Sequence, residues 1–396
     1  MIRRYSSAGA VVTTDDLNAP SVLLLDQIRK TGERQTVAPK GRLEPGEAPL
    51  QAATREVTEE AGLTDTHYSA YLGQEGYTFV DNDGTTAAKT VDWFLFRASS
   101  TATTPNRDEG FVEARWLDAD SARQAASHPQ FQQILDRALA IIAWRSARPL
   151  PFSKDLSRLI AEVAAGAQAA VAEHPEAGVG LCGSAARGDF VDGWSDVDFI
   201  AWNLPGASSA TTELEGTVTR AAHRLGLRAS LHLADDKGRD ARRLGDLYDM
   251  KMRAVLRRVG IDTAVIAGTA PTHALPEETD LAGDIGVLHK FALLRLSRSR
   301  DSVPEREDAA RRVLSVLSSA ARLLVTHRRP DAPLRLPDVA DALHDWPGDQ
   351  LRALLHDYNA YRRAGAGNIG QAEQLAARVP SVLMESQRLA EELSQR

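Results

Sequence analysis

The chain has 396 residues, 43% hydrophobic and 26% charged, enough for two or three globular domains with real cores. Its 54 acidic residues outnumber 47 basic ones, a net charge of −7 that weighs against a primary role in binding nucleic acid. One cysteine, Cys182, excludes an internal disulfide and a cysteine-based zinc site, and no apolar run suits a signal peptide or a membrane span, so the expected location is cytoplasmic, away from membranes.

AGAVV, SVLLLDQ, KTVDWFLFRA and FVEARWL read as strands: short, β-branched or aromatic-rich, and bounded by turn-forming residues. Between them PLQAATREVTEEAGL reads as a helix stopped by Gly62, and FQQILDRALAIIAWR as a second helix closing this region. The two prolines of ARPLPF (147–152) predict a linker. Next come the alanine-rich helix DLSRLIAEVAAGAQAAVAEH, a buried strand GVGLCG, a turn, a strand DVDFIAW, a helix ELEGTVTRAAHRLG and a strand LRASLHLA, an α/β or α+β order. From about Leu281 only helix is expected, with Val313, Leu314, Leu317, Ala320, Ala321 and Leu324 on one stripe of a bundle.

GRLEPGEAPLQAATREVTEEAGL places five glutamates between Glu44 and Glu60 around one arginine, Arg55. At about 100° per residue, Glu56, Glu59 and Glu60 spread over roughly 100° of helix surface. Leu50, Ala53, Val57 and Ala61 form a separate apolar face. Like charges at this spacing repel. Either the helix presents a solvated acidic face, or the carboxylates gather round a hard cation such as Mg²⁺, which favours oxygen ligands.

The spacing resembles the Nudix box, G-x5-E-x7-R-E-U-x-E-E-x-G-U with U bulky aliphatic. It is matched here by Gly41, Glu47, Arg55, Glu56, Val57, Glu59, Glu60, Gly62 and Leu63. The resemblance implies Mg²⁺, with Mn²⁺ as the alternative, held by Glu56, Glu59, Glu60 and the Gly41 carbonyl, and a Glu47–Arg55 pair fixing the loop–helix junction. The general base would be Glu59 or an acid outside the box, for which Glu109 is the candidate. APKGRLEPGE, KTVDWFLF and DEGFVEARWL are similar to the MutT and diadenosine-tetraphosphate-hydrolase branch. On that reading Lys40, Lys89 and Arg29 would meet substrate phosphates. Tyr77, Phe79 and Trp93 would stack on a base or, for at least two of them, pack in the core.

LCGSAARGDFVDGWSDVDFIAW places Asp196 and Asp198 two apart, on one side of a strand, after a Gly183–Ser184 turn. This resembles the DNA polymerase β-type nucleotidyltransferases, hG[GS]-x9–13-Dh[DE]h, with eleven residues between Ser184 and Asp196. The resemblance implies metal-dependent transfer of a nucleoside monophosphate, with Asp196 and Asp198 as metal ligands, Gly183 and Ser184 on the donor phosphates and Arg187 as a further contact. The family's third carboxylate is missing: the strand positions of matching parity are Ser230 and His232, and Asp236 lies past the strand end. The Arg322…His327 spacing also echoes HEPN-type ribonucleases, though the charged ends of an amphipathic helix account for it.

The expected architecture is a multi-domain α/β chain: a Nudix α/β/α sandwich with a mixed sheet (1–146), a polymerase β-like nucleotidyltransferase domain (153–272) and an all-α bundle (280–396). The expected function is Mg²⁺-dependent cleavage of a nucleoside diphosphate linked to a group X. It is joined either to nucleotidyl transfer onto an unknown small-molecule or protein acceptor, or to a catalytically degraded module acting as a nucleotide sensor or scaffold. The expected partners are nucleotide substrates, and the oligomeric state is left open.

Overall fold

The computed structural model describes residues 2–394 except 18, 82, 148–152, 207, 236, 238, 240, 242–245, 272–279, 299–301, 331, 333, 345–348 and 365–367. The predicted linker beyond Ala147, and Asp236, therefore lie outside the described residues. The chain divides into two compact units, Met1–Gly188 with Asp196–His232 and Arg258–Pro271, and Asp189–Ser195 with Leu233–Arg257 and Thr272–Arg396.

The first unit begins with β1 (Arg3–Thr14), β2 (Val22–Ile28), β3 (Arg34–Val37), β4 (Lys40–Arg42), α1 (Pro49–Ala61), β5 (Thr66–Val80) and β6 (Thr86–Ala98). A 3-10 turn (Arg107–Glu109), β7 (Phe111–Leu117), α2 (Ala119–Ala125) and α3 (Pro129–Ser146) follow. The seven strands make one mixed sheet in the order β3-β2-β1-β6-β5, with β4 beside β1 and β7 beside β2. Only β1 and β6 run parallel among the recorded pairs. β1 is buried continuously from Ser7 to Thr13, as a central strand covered on both faces must be. On one face Val11, Val91, Trp93 and Leu95 pack against Phe131, Ile134, Leu135 and Ala138 of α3; α1 packs against β1 and β4.

The same unit continues with α4 (Lys154–Val171), β8 (Gly178–Cys182), the one-turn α5 (Gly183–Arg187), β9 (Val197–Trp202), α6 (Ser209–Arg224) and β10 (Ala229–Ala234) as far as His232. After α7 (Asp246–Leu256), which belongs to the second unit, comes β11 (Ala264–Gly268). These strands form a four-stranded sheet in the order β10-β9-β8-β11, with β8 antiparallel to both neighbours.

The two sheets interlock. Tyr68 of β5, 5% exposed, donates its hydroxyl to the Ala185 carbonyl at 3.2 Å. The Gln74 N–H donates to the Gly260 carbonyl at 2.7 Å, and Arg145 Nη2 to the Gly188 carbonyl at 3.3 Å. Gly188 packs so closely on Ala70 and Ile141 that a Cβ there would lie 2.8 Å from the Ala70 methyl.

The second unit is helical: α7, α8 (Leu281–Ser297), α9 (Val303–Arg328), α10 (Leu336–Ala342), α11 (Asp349–Arg363) and α12 (Ile369–Ser394). The α9 stripe of Val313, Leu314, Leu317, Ala320, Ala321 and Leu324 is fully buried. Asp189 is also fully buried and accepts from the Leu336 N–H at 3.1 Å, with Arg362 Nη1 at 3.4 Å and Arg322 Nη2 at 3.6 Å. Trp194 donates to the Tyr358 hydroxyl at 3.1 Å. Arg322 thus turns inward to an acid, while His327 is exposed. Mixed α/β sheets and a helix-rich C-terminal region are what the chain builds. Among the described residues no helix is long and apolar enough to cross a membrane.

Candidate functional site

α1 begins at Pro49, whose fixed φ suits the first helical turn, and ends where Gly62 adopts φ +73° and donates its N–H to the Thr58 carbonyl. Its apolar face (Leu50, Ala53, Val57, Ala61) is buried as the spacing predicts. The glutamates divide. Glu56 and Glu60, one turn apart, are only 7% and 6% exposed, whereas Glu59 is exposed.

Gly41 explains how Glu56 reaches its place. A Cβ on Gly41 would lie 1.8 Å from Glu56 Oε1 and 2.4 Å from Oε2, so any other residue would push the carboxylate off β4. Arg55 then answers the repulsion among the acids. Nε and Nη2 each donate to Glu47 at 2.9 Å, in a bidentate pair. Nη1 donates to Glu56 Oε1 at 2.8 Å and Glu59 Oε2 at 2.7 Å, and Nη2 also to the Arg42 carbonyl at 3.0 Å. A guanidinium has five N–H donors, and all five are matched. Glu47 accepts the Glu44 N–H at 2.9 Å as well. Partial burial pushes the Glu47 carboxyl up, but the Arg55 hydrogen bonds outweigh it and leave the group below its ordinary range.

Glu60 turns away from Arg55 and accepts the Lys40 N–H at 3.0 Å. Burial pushes its carboxyl up to about 8, against the pull of Lys40, with Glu56 and Glu109 adding to the rise. Burial likewise raises Glu56; Arg55 opposes this, and the charges of Glu59 and Glu109 reinforce it. Glu109 ends the 3-10 turn, held by Asn106 Nδ2 at 3.0 Å, and its charge reaches both buried glutamates. The structure therefore gathers Glu47, Glu56 and Glu59 on one arginine, sets Glu60 against β4, and brings Glu109 within electrostatic reach.

Two mostly buried carboxylates whose ionisation is disfavoured by burial, in an all-oxygen set beside a glycine cradle, fit a hard divalent cation. Among the described residues no group of three or more His, Cys, Asp or Glu is already arranged around a metal position. Arg55 is the counter-charge between Glu56 and Glu59.

The sheet face turned away from Gly41 and Glu56 carries cations and aromatic rings. Gly9 lies opposite both Lys40 and Trp93, Ser7 opposite Arg42 and Val91, and Lys89 between Tyr5 and Tyr77. A Cβ on Gly9 would touch Lys40 Cβ and the Trp93 ring at 2.6 and 2.7 Å, which places these side chains on one face. The Arg42 guanidinium sits 4.0 Å from the Tyr5 ring centroid, and Tyr5 stacks on Phe79 at 6.1 Å. Burial, then the charges of Lys40, Arg42 and Arg29, lower Lys89 to about 8. Burial, then Lys40 and Arg29, lower His128. Trp93 is 2% exposed, packs on Phe131 at 5.0 Å and donates its N–H to Glu75 at 3.0 Å, so it serves the core. Tyr77 and Phe79 are partly buried. Sequence reasoning missed Tyr5, Arg42, Glu75 and His128. Arg42 stands next to Gly41 in the motif, but only strand pairing reveals the face that it shares with Lys89.

In the second sheet Asp196 lies just before β9, and Asp198 within it. Both accept hydrogen bonds from side chains at the start of β10 and just before it. Arg228 Nε donates to Asp196 at 2.6 Å, and Ser230 Oγ to Asp198 Oδ1 at 2.8 Å. His232 Nε2 lies 3.0 Å from Ser230 Oγ and 3.8 Å from Asp198 Oδ1. Ser230 and His232 do face Asp198, as their parity predicts. Gly183, at φ +72°, holds the turn against this acid, since a Cβ would lie 2.9 Å from Asp198 Oδ2. Ser184 and Arg187 lie on α5, both partly buried.

Residues 3–138 match the family model of the NUDIX domain, and the N-terminal part of the chain is a Nudix domain. MutT4 of Mycobacterium tuberculosis (strain CDC 1551 / Oshkosh), described as a mutator protein, is 36% identical over 96 residues, 23% of this chain and 38% of that protein. The chain therefore spans well under half the length of that curated relative. Among solved structures, a binary complex of the C. elegans Ap4A hydrolase is 22% identical over 35% of this chain and 98% of its own, with a TM-score of 0.30. A NUDIX hydrolase from Nitrosomonas europaea is 26% identical over 35% of this chain and 90% of its own, with a TM-score of 0.28.

Proposed function

We propose that the Nudix domain hydrolyses a phosphoanhydride in a nucleoside diphosphate linked to a group X. The observation that carries this reading is the fit of Glu56 against Gly41, with Arg55 tying Glu47, Glu56 and Glu59 together. Glu56, Glu59 and Glu60, with the Gly41 carbonyl, would hold Mg²⁺ or Mn²⁺. When bound, such an ion neutralises phosphate charge and lowers the pKa of water. Arg55 orients Glu56 and Glu59, and the Lys40 N–H orients Glu60. In the reaction, water adds to phosphorus, the bridging P–O bond breaks, and a carboxylate takes the water proton. Glu59 and Glu109 are the two candidates for that base, both exposed enough to meet a water. Lys40, Lys89 and Arg29 supply positive charge for the phosphates.

The test is Mg²⁺-dependent hydrolysis of dinucleoside polyphosphates and nucleoside-diphosphate sugars by the full chain and by Glu59→Gln. Glu59 is exposed, so this variant folds, and hydrolysis is expected to fall at least about a hundredfold. Wild-type rates in Glu59→Gln would refute this account of the metal site.

For the second sheet we propose a nucleotidyltransferase-like module that binds a nucleotide without transferring it, acting as a sensor or scaffold. The positions facing Asp198 are occupied by Ser230 and His232, and Arg228 already neutralises Asp196. In Glu59→Gln, whose hydrolase site is disabled, no pyrophosphate should be released from any NTP with Mg²⁺ and candidate acceptors. Release that is lost in Asp198→Asn but kept in Glu59→Gln would instead establish nucleotidyl transfer.

A further inference from the structure

The turn that leads into α1 has little packing to hold it. Glu44, Pro45 and Gly46 are exposed, and Glu47 is partly buried. Pro45 and Gly46, the latter at φ +79°, form a tight turn closed by the Glu47 N–H on the Glu44 carbonyl at 3.0 Å. The Glu44 N–H returns to Glu47 Oε2 at 2.9 Å. Both bonds lie inside the turn, so they leave it free to swing as one piece. Its flanks are fixed. Leu43 donates its N–H to the Ser6 carbonyl at 3.1 Å, and Ala48 donates its N–H to the Gln51 side chain at 3.1 Å.

Among the described residues, one hydrogen bond reaches Glu44–Glu47 from outside the Gly41–Leu63 stretch. Gln168 of α4 donates from Nε2 to the Gly46 carbonyl at 2.7 Å. α4 lies beyond the Nudix domain, which ends at residue 138. It packs on α6 and β11, and β11 in turn packs against α1. The amide keeps this bond at a cost. Gln168 is partly buried, and its Oε1 is enclosed without a hydrogen-bond partner among the described residues. An unmatched enclosed acceptor is destabilising. Turning the amide over would set its oxygen against the Gly46 carbonyl, so the turn dictates the orientation.

The consequence runs inward. Gly46 is followed by Glu47, which takes two hydrogen bonds from Arg55 at 2.9 Å, and Arg55 also holds Glu56 and Glu59. A turn that swings carries Glu47 with it and lets Arg55 shift. Small displacements of this kind cost catalytic rate out of proportion to their size.

We infer that Gln168 is a positioning residue for the α1 site: from outside the Nudix domain it pins the Gly46 peptide and so fixes Glu47, Arg55 and the two glutamates that Arg55 holds. The inference deepens the hydrolase reading and rests on it for the effect on rate. The pinning itself is read without metal or substrate.

The test compares the full chain with Gln168→Met, which keeps length and helix propensity but has no donor, and Gln168→Glu, which keeps the shape but turns a carboxylate on the Gly46 carbonyl. Amide hydrogen exchange, with chelator present, reads the turn. Exchange at residues 44–47 is expected to be at least about fivefold faster in Gln168→Met, and faster still in Gln168→Glu, with β5 and β6 unchanged. With a dinucleoside polyphosphate and Mg²⁺, kcat is expected to fall about tenfold in Gln168→Met while KM stays within twofold. Its melting temperature should stay within about 2 °C of wild type, because the unmatched Oε1 goes with the donor. Unchanged exchange at 44–47, or faster exchange with kcat within twofold of wild type, would overturn the inference. So would a melting temperature more than about 5 °C lower, which would make Gln168 a packing residue. If Glu59→Gln hydrolyses normally, the hydrolase reading falls and the pinning is decided by exchange alone. If Glu59→Gln is inactive while Gln168→Met matches wild type throughout, the hydrolase reading stands and this inference falls.

Discussion

Around α1 a single enclosed guanidinium serves three glutamates, whereas at β9 and β10 Asp196 meets a half-exposed arginine and Asp198 a serine. Arg55 is largely enclosed and spends every donor on the cluster. Arg228 and Asp196 are about half exposed, with Arg228 Nε donating to the carboxylate at 2.6 Å. The enclosed cluster concentrates negative potential close to Lys40 and Lys89, whose charges Glu60, Glu75 and Glu56 partly balance. The open one dissipates its charge into solvent, a serine and a histidine. A third acid, Asp92, is buried and, among the described residues, meets neutral donors: the Tyr71 hydroxyl at 2.5 Å and Gln74 Nε2 at 3.2 Å.

Both sheets belong to one compact unit, and cutting the chain after residue 146 is the harshest way to break it. The cut uncovers Tyr68, Ala70 and Ile141 and removes the acceptors of the Tyr68 hydroxyl and the Gln74 N–H. Losing burial of one large aromatic side chain costs about 3–5 kcal/mol, a large share of the ~5–15 kcal/mol that holds a domain together. The fragment is expected to unfold far below the full chain, or to aggregate. A fragment melting at the same temperature as the intact protein would show the sheets to be independent.

Arg55→Ala and Arg228→Ala sharpen the contrast. Removing Arg55 leaves three carboxylates without their shared cation, and a loss of about 3 kcal/mol is expected. Removing Arg228 breaks an exposed pair worth about 1 kcal/mol or less. Thermal unfolding with and without Mg²⁺ measures both. Added Mg²⁺ is expected to restore more stability to Arg55→Ala than to Arg228→Ala, because a divalent cation replaces the missing charge only where carboxylates are enclosed. Equal losses in the two variants would erase the distinction.

Much of the α1 region was legible because its information is local. The stretch from Gly41 to Leu63 carries its glycines, acids and arginine in one continuous run, and helical phasing sorts the buried face from the acidic one. Phasing could not show that Glu60 would leave Arg55 for the Lys40 N–H, since that depends on where β4 lies. Strand parity correctly set Ser230 and His232 against Asp198. β5 was not recognised: THYSAYLGQEGYTFV is interrupted by glycine and polar residues, and register shifts near Tyr68 and Tyr71 break its alternation. β11 was missed because AVIAG is five residues long with no flanking pattern of its own. Tyr5, Arg42 and Lys89 lie in segments far apart in the chain and share a face only once β1 pairs with both β4 and β6. The interlock of β5 with α5 leaves no periodic trace at all.

Asp92 calibrates what burial without a cation costs. Burial pushes its carboxyl up from 3.8 to about 6, and the bonds from Tyr71 and Gln74 only partly offset this. Between those values the folded protein holds the proton more tightly than the unfolded chain does. The contribution of Asp92 to stability is therefore full below about pH 4, falls as pH rises through the window, and is lost above about pH 6. The shift corresponds to about 3 kcal/mol. Asp92→Asn, which stays neutral, is expected to flatten this part of the stability–pH curve and to be the more stable protein at pH 7. Denaturant unfolding at pH 4, 5, 6 and 7 measures the slope, and an unchanged slope in the variant would mean that another group carries it.

Gly183→Ala asks the finest question, whether the two acid sites sense one another. At φ +72° an alanine costs about 1–2 kcal/mol, and its methyl group must also displace Asp198 Oδ2 from 2.9 Å. The strain falls two residues before Ala185, whose carbonyl accepts the Tyr68 hydroxyl of β5. A mere structural splice between the sheets predicts a drop of a few degrees in melting temperature, with nucleotide hydrolysis at the α1 site within about twofold of wild type. A larger change in hydrolysis would mean that the turn beside Asp198 is read through Tyr68 by the sheet that carries Lys89 and the glutamates. The contrast between an enclosed working site and an open, locally neutralised one would then become a contrast between an enzyme site and its regulator.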